Sequence, residues 1–241
     1  MNRSDAALFS SETYNMLGSD SKVKRIKGIN KRIQKTGYEV DRKNSNRDIL
    51  TLVNPVTKSV HIAHRGTNIT TPTDLSADLS IATGHTKSNK LFKNRTKKTE
   101  KALEAFPDHY ASISGHSLGG TSAYRSLLAS SKVRERIESG FTYNMGATIF
   151  KDGPQDLSKD DISNLKDKLT HHRVSGDPVS ASTLVQKPIG KVKTYRPKQK
   201  TFTENVTDVA LSNIPFLNLT RDGLNNHSLD HFYDKTKYHD E

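Results

Sequence analysis

The 241-residue chain predicts an α/β domain whose core is a mostly parallel sheet flanked by helices. Three observations carry that prediction. Strand-like segments alternate with helix-like ones, which calls for crossover connections. The pentapeptide Gly115-His116-Ser117-Leu118-Gly119 stands between an alternating segment, Tyr110 to Ser114, and a helical pattern from Thr121, where Ala123, Leu127 and Leu128 recur at helical spacing. The length suits one large core, so residues 1–241 read as a single domain, with 1–36 a helical, basic N-terminal segment and 234–241 a charged tail.

Ala6 to Leu17 reads as a first helix. Lys22 to Lys35 follows as a basic amphipathic helix, with Val23, Ile26, Ile29 and Ile33 between its lysines and arginines. Tyr38 to Asp41 and Asp48 to Val53 read as strands, and Asn54-Pro55 marks a turn. Ser59 to Ala63 alternates like a buried strand and runs into Arg65-Gly66-Thr67. Asp74 can cap a short helix over Leu75 to Leu79. Thr96 to Phe106 reads as a helix ended by Pro107. Beyond the pentapeptide, Phe141 to Asn144 reads as a strand, Asp161 to Leu169 as a helix and His172 to Ser175 as a strand ending at Gly176-Asp177-Pro178. Lys191 to Arg196 reads as a last strand or one arm of a hairpin.

The chain has no cysteine, which excludes disulfides, thiolate metal sites and a cysteine nucleophile, and fits an intracellular or virus-associated protein. The N-terminus lacks a signal-peptide pattern, and no stretch approaches the ~20 apolar residues of a membrane span. The net charge of +12 clusters in Lys22–Lys35, Lys87–Lys101 and Lys187–Lys200. These runs fit either a solvated lysine-rich surface or attraction to a polyanion, an anionic membrane surface ahead of nucleic acid. No Gly-rich phosphate loop or dinucleotide fingerprint is present, so no cofactor is expected. His171-His172 could ligate a metal, but no carboxylate at a suitable spacing accompanies the pair, and no metal is expected.

Gly115 to Gly119 fits G-x-S-x-G, a turn that presents a serine hydroxyl between a strand and a helix. One glycine should let the strand turn and the other let the helix pack closely. A serine needs a histidine base, and the base needs an acid to orient it and stabilise the imidazolium. On α/β scaffolds these follow in the order Ser, acid, His. Asp177 stands where a strand breaks into a turn. Among histidines after it, His227 follows a turn-like Gly223 to Asn226, His231 is its rival, and His239 lies in the charged tail. The oxyanion calls for backbone donors. Leu118, the residue after Ser117, offers one, and Thr67 can offer N–H and hydroxyl.

Six segments taken in order resemble the class 3 lipase family, the fungal-lipase-like α/β-hydrolases. They are His64-Arg65-Gly66-Thr67, Asp74 to Leu79, Gly115 to Gly120, Phe141 to Ala147, Gly176 to Val179, and His227 to Asp230 followed by Phe232-Tyr233. They span about residues 58 to 233. The resemblance implies an α/β-hydrolase fold, a triad of Ser117, Asp177 and His227, an oxyanion hole of Thr67 and Leu118, and a lid over roughly Asn68 to Asp74. The activity it implies is hydrolysis of an acyl-lipid ester, of lipase or phospholipase type. The single bulky apolar residue of the lid stretch, Ile69, directs the expectation toward phospholipids or soluble esters. The competing reading is a non-catalytic basic binding or virion-structural protein on the same scaffold.

Overall fold

The computed structural model describes residues 1–67, 86–146, 157–181, 183, 187–196 and 227–233. The lid stretch, the helix expected after Asp74, the turn before His227 and the 234–241 tail lie outside the described residues.

Among the described residues, seven strands form one sheet in chain order. They are β1 (Glu39–Val40), β2 (Ile49–Asn54), β3 (Ser59–His64), β4 (Tyr110–His116), β5 (Ile137–Tyr143), β6 (Leu169–Val174) and β7 (Lys191–Tyr195). The first three pair antiparallel, and β3 to β7 pair parallel. Lys191 to Tyr195 is therefore a parallel strand beside β6 and not a hairpin arm.

Among the described residues the α-helices are α1 (Arg3–Glu12), α2 (Lys22–Ile33), α3 (Thr86–Glu104), α4 (Leu118–Ala129), α5 (Ser131–Arg136), α6 (Lys159–Lys168) and α7 (Pro178–Ala181). Parallel strands laid down in sequential order have right-handed crossovers that all fall on one face of the sheet. That face packs Leu103 of α3, Ala123 and Leu127 of α4, Val133 of α5 and Leu165 of α6 against Ile62, Ile113 and Ile137. The termini cover the other face. Ala6, Phe9, Ile26, Ile29 and Ile33 pack there with Leu50, Leu52, Tyr143, Leu229 and Phe232.

The N-terminal segment is thus a structural cover. The apolar stripe of α2 faces the core, with Val23 half exposed, so it is not free to enter a lipid surface. The first helix ends at Glu12 and tightens into a 3₁₀ turn over Thr13–Met16, and Asn2 caps its start by accepting from Asp5 N–H. Small residues let α1 lie close to β4. Ser10 Oγ meets Ser114 Oγ at 2.8 Å, and Ser114 Oγ also donates to the Ala6 carbonyl.

Candidate active site

The turn between β4 and α4 places Ser117 at φ 56° and ψ −128°. A non-glycine residue held there costs on the order of 1–3 kcal/mol, so the surroundings must enforce it. Ser117 N–H donates to the Tyr143 carbonyl at 2.9 Å, and Thr121 N–H closes the first helical turn onto the Ser117 carbonyl at 3.1 Å. The helix begins at Leu118 and not Thr121, which aims its unpaired N-terminal amides and positive dipole end at the site. The glycines do not supply the turn. A Cβ on Gly115 would collide with the Gly119 backbone, and one on Gly119 with the His64 carbonyl and Arg65. Both serve close backbone packing, and the left-handed geometry falls on the serine.

Asp177 follows β6 in a loop turned by Gly176 at φ 80°. Its Oδ1 accepts from His227 Nδ1 at 2.7 Å, and its Oδ2 from Ser180 N–H at 2.7 Å. Burial alone would raise the carboxyl pKa. The adjacent His227 ring and the hydrogen bonds from His227 and Ser180 outweigh it and hold Asp177 below its usual value. A carboxylate only accepts, so Nδ1 carries the proton of the bond to Asp177, and in the neutral tautomer this leaves Nε2 as an acceptor. That Nε2 is buried and has no hydrogen-bond partner among the described residues. His231 lies in the following 3₁₀ turn, Leu229–His231, with its ring against Phe232.

His116 fixes where His227 stands. Its Nε2 lies 2.6 Å from the His227 carbonyl, its Nδ1 lies 2.9 Å from the Tyr14 hydroxyl, and its ring centroid lies 4.6 Å from that of His227. A carbonyl only accepts, so Nε2 carries the proton and Tyr14 donates to Nδ1. Burial holds the His116 pKa down to about 3 and pushes that of Tyr14 up, so both stay neutral. Sequence reading passed over His116 as the variable position of the motif, and nothing local in the chain marks Tyr14 as its partner.

Leu118 follows Ser117 at the start of α4, and the Arg65 to Thr67 segment leaves the carboxyl end of β3, which pairs with β4. Gly66 packs so tightly on the site that a Cβ there would meet the Tyr14 hydroxyl and the His116 carbonyl. Both backbone polar groups of Arg65 are gripped. Its N–H donates to the Asp48 carbonyl at 2.9 Å, and its carbonyl accepts from the guanidinium of Arg95 at 2.7 Å. Arg95 is only 2% exposed, and Asp48 faces it at 3.8 Å. Phe92, one turn earlier on α3, packs on Leu118. An arginine in a lysine-rich helix gives no sequence sign of such burial. Asn144 also went unread. At φ 45° its side-chain oxygen accepts from Val174 N–H at 2.9 Å, tying the end of β5 to the acid loop.

Among the described residues, no cluster of three or more histidine, aspartate or glutamate side chains could hold a metal ion. His171 bonds to Thr142 and the Ile189 carbonyl, and His172 to Tyr195, so both serve the fold. No described helix is long and apolar enough to cross a membrane.

No protein-family model and no curated protein matches the sequence. Solved structures do. The nonglycosylated Lip2 lipase of Yarrowia lipolytica is similar at a TM-score of 0.51 and 18% identity, over 80% of this chain and 78% of that one. A second structure of Yarrowia lipolytica Lip2 gives 0.48 and 17%, over 81% and 77%. The Rhizomucor miehei lipase in its propeptide complex gives 0.46 and 12%, over 76% and 61%. Topology and similarity together show that the chain has the α/β-hydrolase fold.

Proposed function

We propose that the protein is a serine ester hydrolase acting on acyl lipids, of lipase or phospholipase type. The observation that carries this reading is the state of His227. One ring nitrogen is committed to a buried carboxylate, and the other is an unused acceptor in the ring beside the strained Ser117 turn. His172 also leaves a buried ring nitrogen without a partner, so what sets His227 apart is the buried carboxylate on its other nitrogen and its place against His116, next to Ser117. The Yarrowia neighbour, named as a lipase, supports the same class.

In this mechanism His227 Nε2 takes the Ser117 proton as Oγ attacks the acyl carbonyl. Asp177 steadies the imidazolium. The Leu118 N–H, at the start of α4, and the N–H and hydroxyl of Thr67 receive the oxyanion. His227 then protonates the leaving alcohol, an acyl-enzyme forms on Ser117, and water releases the acid by the reverse roles. No cofactor takes part.

Ser117→Ala should abolish hydrolysis of short- and long-chain esters, by on the order of 10⁶-fold, while leaving the fold intact. His227→Ala should match it, and His231→Ala should not. A Ser117→Ala protein keeping a tenth of the turnover would overturn the reading. An unmodified protein that hydrolyses no ester would favour the non-catalytic alternative, which the +12 charge supports.

A further inference from the structure

A group of exposed basic residues stands at one edge of the sheet, the edge that carries the candidate site. The carboxyl ends of β3, β4 and β6 lead into Arg65 to Thr67, Ser117 and Asp177. Strand β2 runs antiparallel, with Ile49 opposite His64, so the loop 41–48 reaches the same edge. That loop is bound to the oxyanion segment, because Arg65 donates from N–H to the Asp48 carbonyl and from Nε to the Arg47 carbonyl. The N-terminal end of α3 arrives there too, through Phe92 on Leu118 and Arg95 on the Arg65 carbonyl.

Arg42, Lys43 and Arg47 on the loop and Lys90 and Lys93 on α3 are all exposed, and none forms an ion pair among the described residues. The nearby acids offer little compensation. Asp48 is engaged by Lys98 and Arg95, and Asp41 accepts from the Asn44 backbone and side chain. The opposite edge mixes its signs. Lys58, Lys101 and Lys132 stand there with Glu39, Glu104 and Asp108, and Lys132 pairs with Glu104 at 3.4 Å. Asp230, three residues beyond His227, is an exposed acid on this side, and the described residues around the mouth still carry an excess of positive charge.

We infer that this basic rim docks the mouth onto an anionic phospholipid bilayer, so that the acyl lipids hydrolysed are those of negatively charged surfaces. The inference rests on the ester-hydrolase reading above. Each Lys or Arg held within a Debye length of an anionic leaflet adds roughly a fivefold gain in binding, and several act together. A bilayer fits better than a nucleic acid. The exposed large apolar side chains include one aromatic, Tyr110, at the opposite edge, so the rim offers no described ring on which a base could stack.

The test is co-sedimentation with vesicles of ether-linked phosphatidylcholine, which resist ester hydrolysis, alone or mixed with ether-linked phosphatidylglycerol. The unmodified protein should bind the mixed vesicles on the order of 100-fold more tightly and release them as salt rises. A rim variant, Arg42→Gln with Lys43→Gln and Arg47→Gln, should lose on the order of 100-fold. A control at the opposite edge, Lys58→Gln with Lys101→Gln and Lys132→Gln, should keep wild-type binding. Indifference to lipid charge, or an equal loss in the control, would overturn the rim. So would a rim variant that loses binding to duplex DNA but not to vesicles. Turnover of a water-soluble ester by the unmodified protein separates the two claims. Turnover without anionic binding sinks the rim alone, and anionic binding without turnover sinks the hydrolase reading on which its substrate assignment rests.

Discussion

Acidification should unfold this protein near pH 5, because five histidines are held neutral inside it. His61 lies between Ser112 and Ser114, and His64 between Ser122 and Thr99. His116, His171 and His172 are bonded as described above. In an unfolded chain each would take up a proton around pH 6.5. In the fold, burial holds four of them down to about 3 and His171 to about 4. A folded pKa below the unfolded one means stability that is complete above pH 6.5 and is lost as pH falls toward the folded value. At about pH 5 each histidine accounts for a loss of about 2 kcal/mol, and together they remove about 10 kcal/mol. Total stabilities of domains lie at about 5–15 kcal/mol, so this loss is decisive. Urea unfolding at pH 7, 6 and 5, followed by tyrosine circular dichroism, measures it directly. His61→Gln, whose amide can still bond both serines, should remove about a fifth of the pH dependence. A stability that changes by less than about 2 kcal/mol between pH 7 and pH 5 would refute the reasoning.

Other expectations concern the site. His116→Phe keeps the ring's bulk but removes the donor to the His227 carbonyl. It should lower kcat by roughly 100-fold through misplacement of the base, with KM little changed, and an unaltered kcat would count against a positioning role. Arg95→Met leaves the Arg65 carbonyl without its charged donor and loosens the oxyanion segment. It should cost about 3 kcal/mol in urea unfolding and depress kcat, with Arg95→Lys recovering part of both. Asp177→Asn should reduce kcat by roughly 10⁴-fold if the carboxylate sets the His227 tautomer.

The parallel strands were legible because their alternation and length are local properties. Ser59 to Ala63 and Tyr110 to Ser114 stand within two residues of observed strand ends. Segments whose character depends on distant partners were not. The helix after Ser117 starts three residues before its apolar periodicity does, because Leu118 to Gly120 read as turn-forming until the strands they pack against are known. Strand β6 starts at Leu169, and its His171 and His172 look exposed in sequence but are buried by hydrogen bonds to Thr142, Ile189 and Tyr195. Helix α5 was missed because its six residues are too short to show a period. The residues that steady the site, Tyr14, Arg95, His116 and Asn144, act across long chain separations, and no spacing rule links them to the serine.

The most direct test of the account is labelling with a fluorophosphonate probe, which phosphonylates a serine only when a base activates it. The folded protein should give one adduct, mapped by peptide mass spectrometry to Ser117. It should be absent from Ser117→Ala and far slower to form in His227→Ala than in His231→Ala. A folded wild-type protein that takes no label, or takes one that survives Ser117→Ala, would contradict the claim that this turn carries an activated nucleophile.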